Sequence, residues 1–378
     1  MYALPLLASV GVVLSAEPVA AFTGGATIAG KVYQGIRIPA LLRLADGTLL
    51  AFAEGRVHGL ADHGDVDLVL TRSTDQGATW SVPVVVADAG EAFVGNAAPV
   101  VEVKTGIITV LMAWKAPGAV ERDIRSGKQP PCAVWSIRSS DGGVTWSTPA
   151  PTKGLEDLST TRGWRWNLPS PCHGIQLAHG PHAGRLVIAG NHSAPGGASN
   201  AFLGAHLLLS DDGGMTWRVG AVDGAPAGGR PGMVPYPNES AVAELADGTL
   251  VVHTRDEGGP TSGTRAVALS RDGGETFLTA FTDMPFLIAP VCQGALLSGR
   301  DAAGRELLIA TMPGDAKKRE RLVLRSSRDG GATWGAEQVL YPGSAAYSDV
   351  AQLAPGRFLV LAEVDGYRRI VALTATVP

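Results

Sequence analysis

The sequence is poor in cysteine, aromatics and charge. Three cysteines, Cys132, Cys172 and Cys292, lie far apart in 378 residues, and no C-x-x-C pair occurs. That removes a disulfide framework and a thiolate metal knuckle, and leaves three buried thiols as the expectation. Charged residues make up 17%, with no run of one sign and a net charge of −4. Nothing here favours nucleic acid or an anionic membrane surface as a partner. The apolar run from Ala3 to Ala16 is too short to span a bilayer. It reads either as the core of an export signal, with Val19-Ala20-Ala21 as a passable cleavage site, or as a first strand that joins the last structural unit; no Lys or Arg precedes it. On the first reading the protein is secreted or periplasmic, on the second it can stay in the cytoplasm. Low-complexity tracts are missing too, so residues 27–378 read as one domain behind a signal-like or first-strand segment, 1–26.

Glycine (49) and proline (25) are plentiful and scattered, as suits a chain dense in turns. One turn is written five times. Ser73-Thr-Asp75-Gln-Gly77-Ala-Thr79-Trp80 is the first copy, and the others centre on Asp141, Asp212, Asp272 and Asp329, giving S-x-D-x-G-x-T-W/F. The Asp accepts hydrogen bonds from its own turn, the Gly supplies a positive φ, and Thr and the aromatic re-enter a strand. The steps between the aspartates are 66, 71, 60 and 57 residues. Such a period holds about four short strands plus loops, and a supersecondary unit repeated at it means a stacked or radial array. The length then fits an all-β, six-bladed β-propeller of four-stranded antiparallel blades, one of which lacks the legible turn.

Several polar residues stand in apolar surroundings, where they are costly unless paired. Arg37 lies in Arg37-Ile38-Pro39-Ala40-Leu41, and Glu54 and Arg56 close the apolar run from Leu49. A polar loop with Asp62 and Asp65 follows. Asn96 opens the second unit, where a turn and a ligand contact are equal readings. Asn238-Glu239 and Arg255, 16 residues on, flank an apolar strand. Arg319, Arg321 and Arg325 approach the fifth turn and are rivals on spacing. Tyr347-Ser348 and Glu363 sit in the last apolar strands. His58 and His63 show no H-x-x-x-H spacing for zinc.

The repeated turn resembles the Asp box of sialidases and related propellers. The R-I-P-A-L and F-A-E-x-R segments, the Asn-Glu pair and the Tyr-Ser segment resemble those of bacterial exo-α-sialidases of glycoside hydrolase family 33. Ser170 and Cys172 depart from the family's G-P-G-x-G-I-Q-L pattern. The resemblance implies Tyr347 as nucleophile, Glu239 as its base and Asp62 as acid/base, with Asp65 the fallback. It implies a carboxylate-binding triad of Arg37, Arg255 and Arg321, with Glu363 bracing Arg37, and Arg56 and Asn96 near the substrate. A carboxylate nucleophile would meet the substrate's own carboxylate, and sialidases are the tyrosine exception among glycosidases. The expected partners are sialylated glycans, bound by a monomer that needs neither cofactor nor metal. A trans-sialidase, or a hydrolase of a related nonulosonic acid, stays open within the class. A non-catalytic Asp-box propeller that binds glycans or proteins is the alternative, and it would be expected to lack Tyr347, Glu239 or Asp62.

Overall fold

The computed structural model describes residues 17–194, 202–223, 235–257 and 263–378. The apolar residues 3–16 lie outside them. Within them the chain is all β, apart from two short helices at Glu121–Arg125 and Leu158–Thr161. The strand Val19–Thr23 pairs antiparallel with Arg369–Thr376. The Val19-Ala20-Ala21 stretch is therefore part of a paired strand.

The strands run as antiparallel meanders. Gly35–Arg43, Leu49–Arg56, Val66–Ser73 and Val84–Ala87 form the first. Phe93–Val101, Ile108–Lys115, Ala133–Ser139 and Ala150–Pro151 form the next, joined to the first by a single parallel bridge, Val66 to Phe93. Asn167–Pro169 and Ile175–Gln176 both pair with Leu186–Ala194, which continues through Phe202–Ser210 to Arg218–Val222. Pro237–Glu244, Leu250–Asp256, Thr264–Ser270 and Thr282–Ile288 make a four-stranded sheet. In the remaining sheet the 17-residue strand Gln338–Ala354 pairs first with Glu320–Ser327 and then, from Ala345 on, with Arg357–Val364. The inner strands read as near-continuous apolar runs because both faces are covered: Leu49–Arg56 is buried throughout.

The five repeated turns close in one way. Ser73 Oγ donates to Asp75 Oδ1 (2.8 Å) and accepts from the Gly77 amide (2.8 Å), while the Thr79 amide and hydroxyl both donate to the Asp75 carboxylate. The same pattern recurs around Asp141, Asp212, Asp272 and Asp329. Gly77 has φ +87°, and a Cβ there would lie 2.2 Å from Leu359 Cδ1, so both conformation and packing demand glycine. The aromatic that follows packs on a neighbouring meander: Trp146 meets Phe52 edge-on at 5.7 Å. All three cysteines are buried free thiols.

One buried carboxylate ties distant parts of the chain together. Asp349, on the long strand, accepts from the amides of Leu41 (2.8 Å), His173 (2.9 Å) and Val350 (2.8 Å), from His173 Nδ1 (2.7 Å) and from the Cys172 thiol (3.1 Å). Cys172, a departure from the family pattern, is thus a donor at this hub. Ser170, the other departure, accepts from the Ser240 amide with its Oγ (2.9 Å). Removing the Asp349 carboxylate orphans three buried amides, each worth about 1–3 kcal/mol. Asp349→Ala is expected to lower the unfolding free energy by at least ~3 kcal/mol, read from urea denaturation; a loss near zero would show that water replaces the carboxylate.

Candidate active site

Six of the resemblance-derived residues, Arg56, Asp62, Asn96, Glu239, Arg255 and Tyr347, converge from four meanders on the lining of one cavity of about 450 Å³. Tyr347 lies just past the point where its strand changes partners, beside a register shift between Ala345 and Ser348. Its hydroxyl is 2.7 and 2.8 Å from the two Glu239 oxygens, and Arg255 Nη1 donates to it at 3.0 Å. Burial raises the phenol's pKa well above its ordinary value, the Glu239 charge raises it further, and Arg255 opposes both only in part. The phenol therefore stays protonated until a base accepts its proton.

Each arginine arrives with its own brace. Arg37 is 7% exposed and sends Nε and Nη2 to the two oxygens of Glu363, at 3.0 Å each. Glu363 also accepts from the Ile38 and Tyr347 amides (2.8 and 3.3 Å), locking the arginine and the tyrosine into one unit. The Arg37 guanidinium stacks over the rings of Tyr367 (4.2 Å) and Tyr347 (5.4 Å). Arg255 donates to Glu239 (2.8 Å) and Glu257 (3.0 Å). Arg56 is held by Glu54, whose other oxygen accepts from the Asn96 amide at 2.8 Å. Asn96, at φ +50°, lines the cavity.

Asp62 stands at the mouth with its side chain 76% exposed, 2.7 Å from Arg56 Nη1 and 3.6 Å from Arg37 Nη1. Burial among the surrounding loop and cavity atoms acts to raise its pKa, but Arg56 and then Arg37 outweigh that and hold the carboxyl below its usual range. The fallback, Asp65, points elsewhere and pairs with Lys31 at 2.7 Å.

The third arginine requires a correction. Arg321 does not reach the cavity: it pairs with Glu337 and the Gly314 carbonyl, and Arg325 lies against the same Glu337. The reason is a bulge. The register shifts on both sides of Leu322, and Arg321 adopts φ +60° with its carbonyl bonded to the Gly314 amide, which turns its side chain out of the strand's alternation. Arg319, two residues before it, is the one that lies beside Tyr347. It stacks over the Tyr347 ring at 5.4 Å and donates to the Tyr367 hydroxyl (3.3 Å) and the Val291 carbonyl (2.9 Å).

Other residues of the cluster escaped the sequence reading. Glu257 and Tyr367 carry no local signal, and Lys115 is marked only as a charge ending an apolar strand. The Gln293 side-chain amide brackets both the N–H and the C=O of Ser348, next to Tyr347. The one trio of potential metal ligands among the described residues is Cys172, His173 and Asp349, whose carboxylate already serves five donors.

The chain resembles known proteins in sequence and in fold. A family profile described as BNR repeat-like domain matches residues 47–360. A sialidase of Micromonospora viridifaciens is 32% identical over 347 residues, covering 86% of this chain and 49% of the relative. A sialidase of Bacteroides fragilis is 29% identical over 322 residues, covering 80% and 55%. The chain thus spans about half the length of these two relatives. Among solved structures, a Hadza microbial sialidase superposes with a TM-score of 0.74 at 25% identity, covering 91% of this chain and 66% of that one. A leech intramolecular trans-sialidase gives 0.72 at 16% identity, covering 96% and 70%, a likeness of fold.

The two glutamates that hold arginines should part company in stability measurements. Glu363→Gln leaves Arg37 buried without its counter-charge and is expected to cost ~3–5 kcal/mol. Glu337→Gln, facing the 36%-exposed Arg321, is expected to cost less than ~1 kcal/mol. Denaturant titration of both variants checks this, and equal losses would contradict the assignment of Arg37 to the buried cluster.

Proposed function

The chain belongs to the BNR repeat-like family, and from that premise we propose that it is a retaining exo-α-sialidase, built as a six-bladed propeller. The observation that carries the reading is the Tyr347 phenol, set within 2.8 Å of both Glu239 oxygens and beside Arg255. The blade count is supported by the meanders, by the five repeated turns, and by Val19–Thr23 adding a strand to the C-terminal meander. Sialidases among the relatives support the substrate class, a terminal sialic acid on a glycan.

The substrate carboxylate is received by Arg37, Arg255 and Arg319, whose planar forks match it and stay charged. Tyr347 Oη attacks the anomeric carbon while its proton passes to Glu239, so no free phenolate has to form against the raised pKa. Asp62 protonates the departing oxygen as the bond from that carbon breaks. In the empty cavity Arg56 and Arg37 hold Asp62 ionised. An incoming carboxylate on Arg37 offsets part of that positive field and raises the Asp62 pKa, so the acid becomes protonated as substrate arrives. In the second half Asp62 takes a proton from water, the water oxygen bonds to the anomeric carbon, the tyrosyl bond breaks, and Glu239 returns its proton to Tyr347. Two displacements at one carbon retain configuration.

Two measurements test this reading. The wild type is expected to release 4-methylumbelliferone from its sialoside, and Tyr347→Phe to lose at least ~100-fold, since covalent catalysis by the phenol is removed; no release above the variant would end the assignment. The nature of the freed sugar, sialic acid or an anhydro product, separates hydrolysis from intramolecular transfer. Secondly, Arg319→Ala is expected to raise the Kd of a dehydrated sialic-acid analogue by at least ~10-fold, whereas Arg321→Ala leaves it within about twofold, in line with charge-assisted bonds of ~1.5–3 kcal/mol. Calorimetric titration decides, and the reverse order would return the third arginine to position 321.

A further inference from the structure

Lys115 is a buried cation that the mechanism above does not use. It ends the strand Ile108–Lys115, is 4% exposed, and places Nζ 3.5 Å from the centroid of the Phe93 ring and 5.6 Å from that of Trp166. Among the described residues its ammonium makes one hydrogen bond, to the main-chain carbonyl oxygen of Asp62. Burying an ammonium without a carboxylate is costly, and a methionine would fill the same aromatic slot more cheaply.

The loop it reaches is held by polar contacts. From His58 to His63 every side chain except Gly59 is exposed, including Leu60 and Ala61. Apolar packing therefore does not fix the loop. Its ends are tied by the Val57 amide to the Asp65 carbonyl (3.1 Å) and by Lys31 to the Asp65 side chain. Its middle rests on cations from beneath: Arg56 Nη1 at the Leu60 carbonyl, Arg56 and Arg37 at the Asp62 carboxylate, and Lys115 at the Asp62 main-chain carbonyl. Arg56 comes from the meander that carries the loop. Lys115 comes from the next one.

We propose that Lys115 is the positioning residue of the acid/base: by gripping the Asp62 carbonyl from the neighbouring meander, it fixes where the Asp62 carboxyl stands over the leaving oxygen. The inference rests on the hydrolase reading. It leads to a dependence on the leaving group. A lactose alkoxide must be protonated as it departs, so its release needs a well-placed acid. An aryl leaving group such as 4-methylumbelliferone departs with little protonation. The ratio kcat/KM covers this first step alone, and general acid catalysis is worth ~10²–10⁴ in it.

The test compares kcat/KM on 3'-sialyllactose and on 4-methylumbelliferyl sialoside for wild type, Lys115→Met, Lys115→Arg, Asp62→Ala and the Lys115→Met/Asp62→Ala double variant. Lys115→Met is expected to lose at least ~10-fold on sialyllactose and under ~3-fold on the aryl sialoside, a modest share of the general-acid effect. Lys115→Arg recovers part of the loss, and in the Asp62→Ala background Lys115→Met has no further effect, because the two act as one unit. Equal losses on the two substrates, or additive losses in the double variant, would overturn the proposal. Amide hydrogen exchange of residues 57–65 gives a readout that needs no turnover: it is expected to speed up in Lys115→Met while the flanking strands keep their protection, and unchanged exchange overturns the proposal even if the wild type proves inactive. A wild type that turns over neither substrate, with the loop nonetheless loosened in the variant, would sink the hydrolase reading and keep Lys115 as the loop's anchor.

Discussion

Like charges gathered in one cavity repel, and the site described here depends on how the fold answers that repulsion. Arg37, Arg56 and Arg255 each come with a carboxylate already in contact: Glu363, Glu54, and the pair Glu239 and Glu257. Arg319 differs, because among the described residues it donates to a phenol hydroxyl and a main-chain carbonyl. It is the least neutralised guanidinium of the group and so the one with most to gain from an anion. The bracing carboxylates also set direction. With Nε and one Nη committed to Glu363, Arg37 has its other Nη left to face Asp62 and the cavity.

The same economy governs Tyr347. Its main-chain amide is held by Glu363, its hydroxyl by Glu239 and Arg255, and the next residue by Gln293. Three separate meanders therefore fix one side chain. A phenol in such a place cannot ionise alone, and a carboxylate in contact with it makes the proton's destination part of the architecture.

Much of this was legible in the sequence, and the reasons for the exceptions are physical. The repeated turns are local: Ser, Asp, Gly and Thr within eight residues satisfy one another, so their text survives in any context. Arg255 and Glu363 sit at strand positions where the pairing is regular, whereas Arg37, Glu239 and Tyr347 sit at register shifts, and family spacing alone put these five together. Arg321 was misplaced because a bulge, set by pairing with a strand some 20 residues away, reverses the expected side. Arg319 and Arg321 are two residues apart and no propensity separates them. Lys115 and Glu54 serve residues of other strands or other meanders, and a partner across a sheet leaves no trace at short range. Of the two departures from the family pattern, Cys172 donates to the Asp349 tie and Ser170 accepts from the Ser240 amide, partners that short-range sequence does not reveal.

The pairing of Val19–Thr23 with Arg369–Thr376 bears on how the chain comes into being on the ribosome. The contacts that make the cavity span up to 326 positions, as between Arg37 and Glu363. Neither that ion pair nor the pairing of Val19–Thr23 can form until residues 363–376 have been synthesised, so the early meanders wait with their inner strands unsheltered. Such late, long-range closure slows folding and exposes the half-made protein to aggregation. Loss of residues 338–378 would accordingly take away Tyr347, Glu363 and the partner of Val19–Thr23 together.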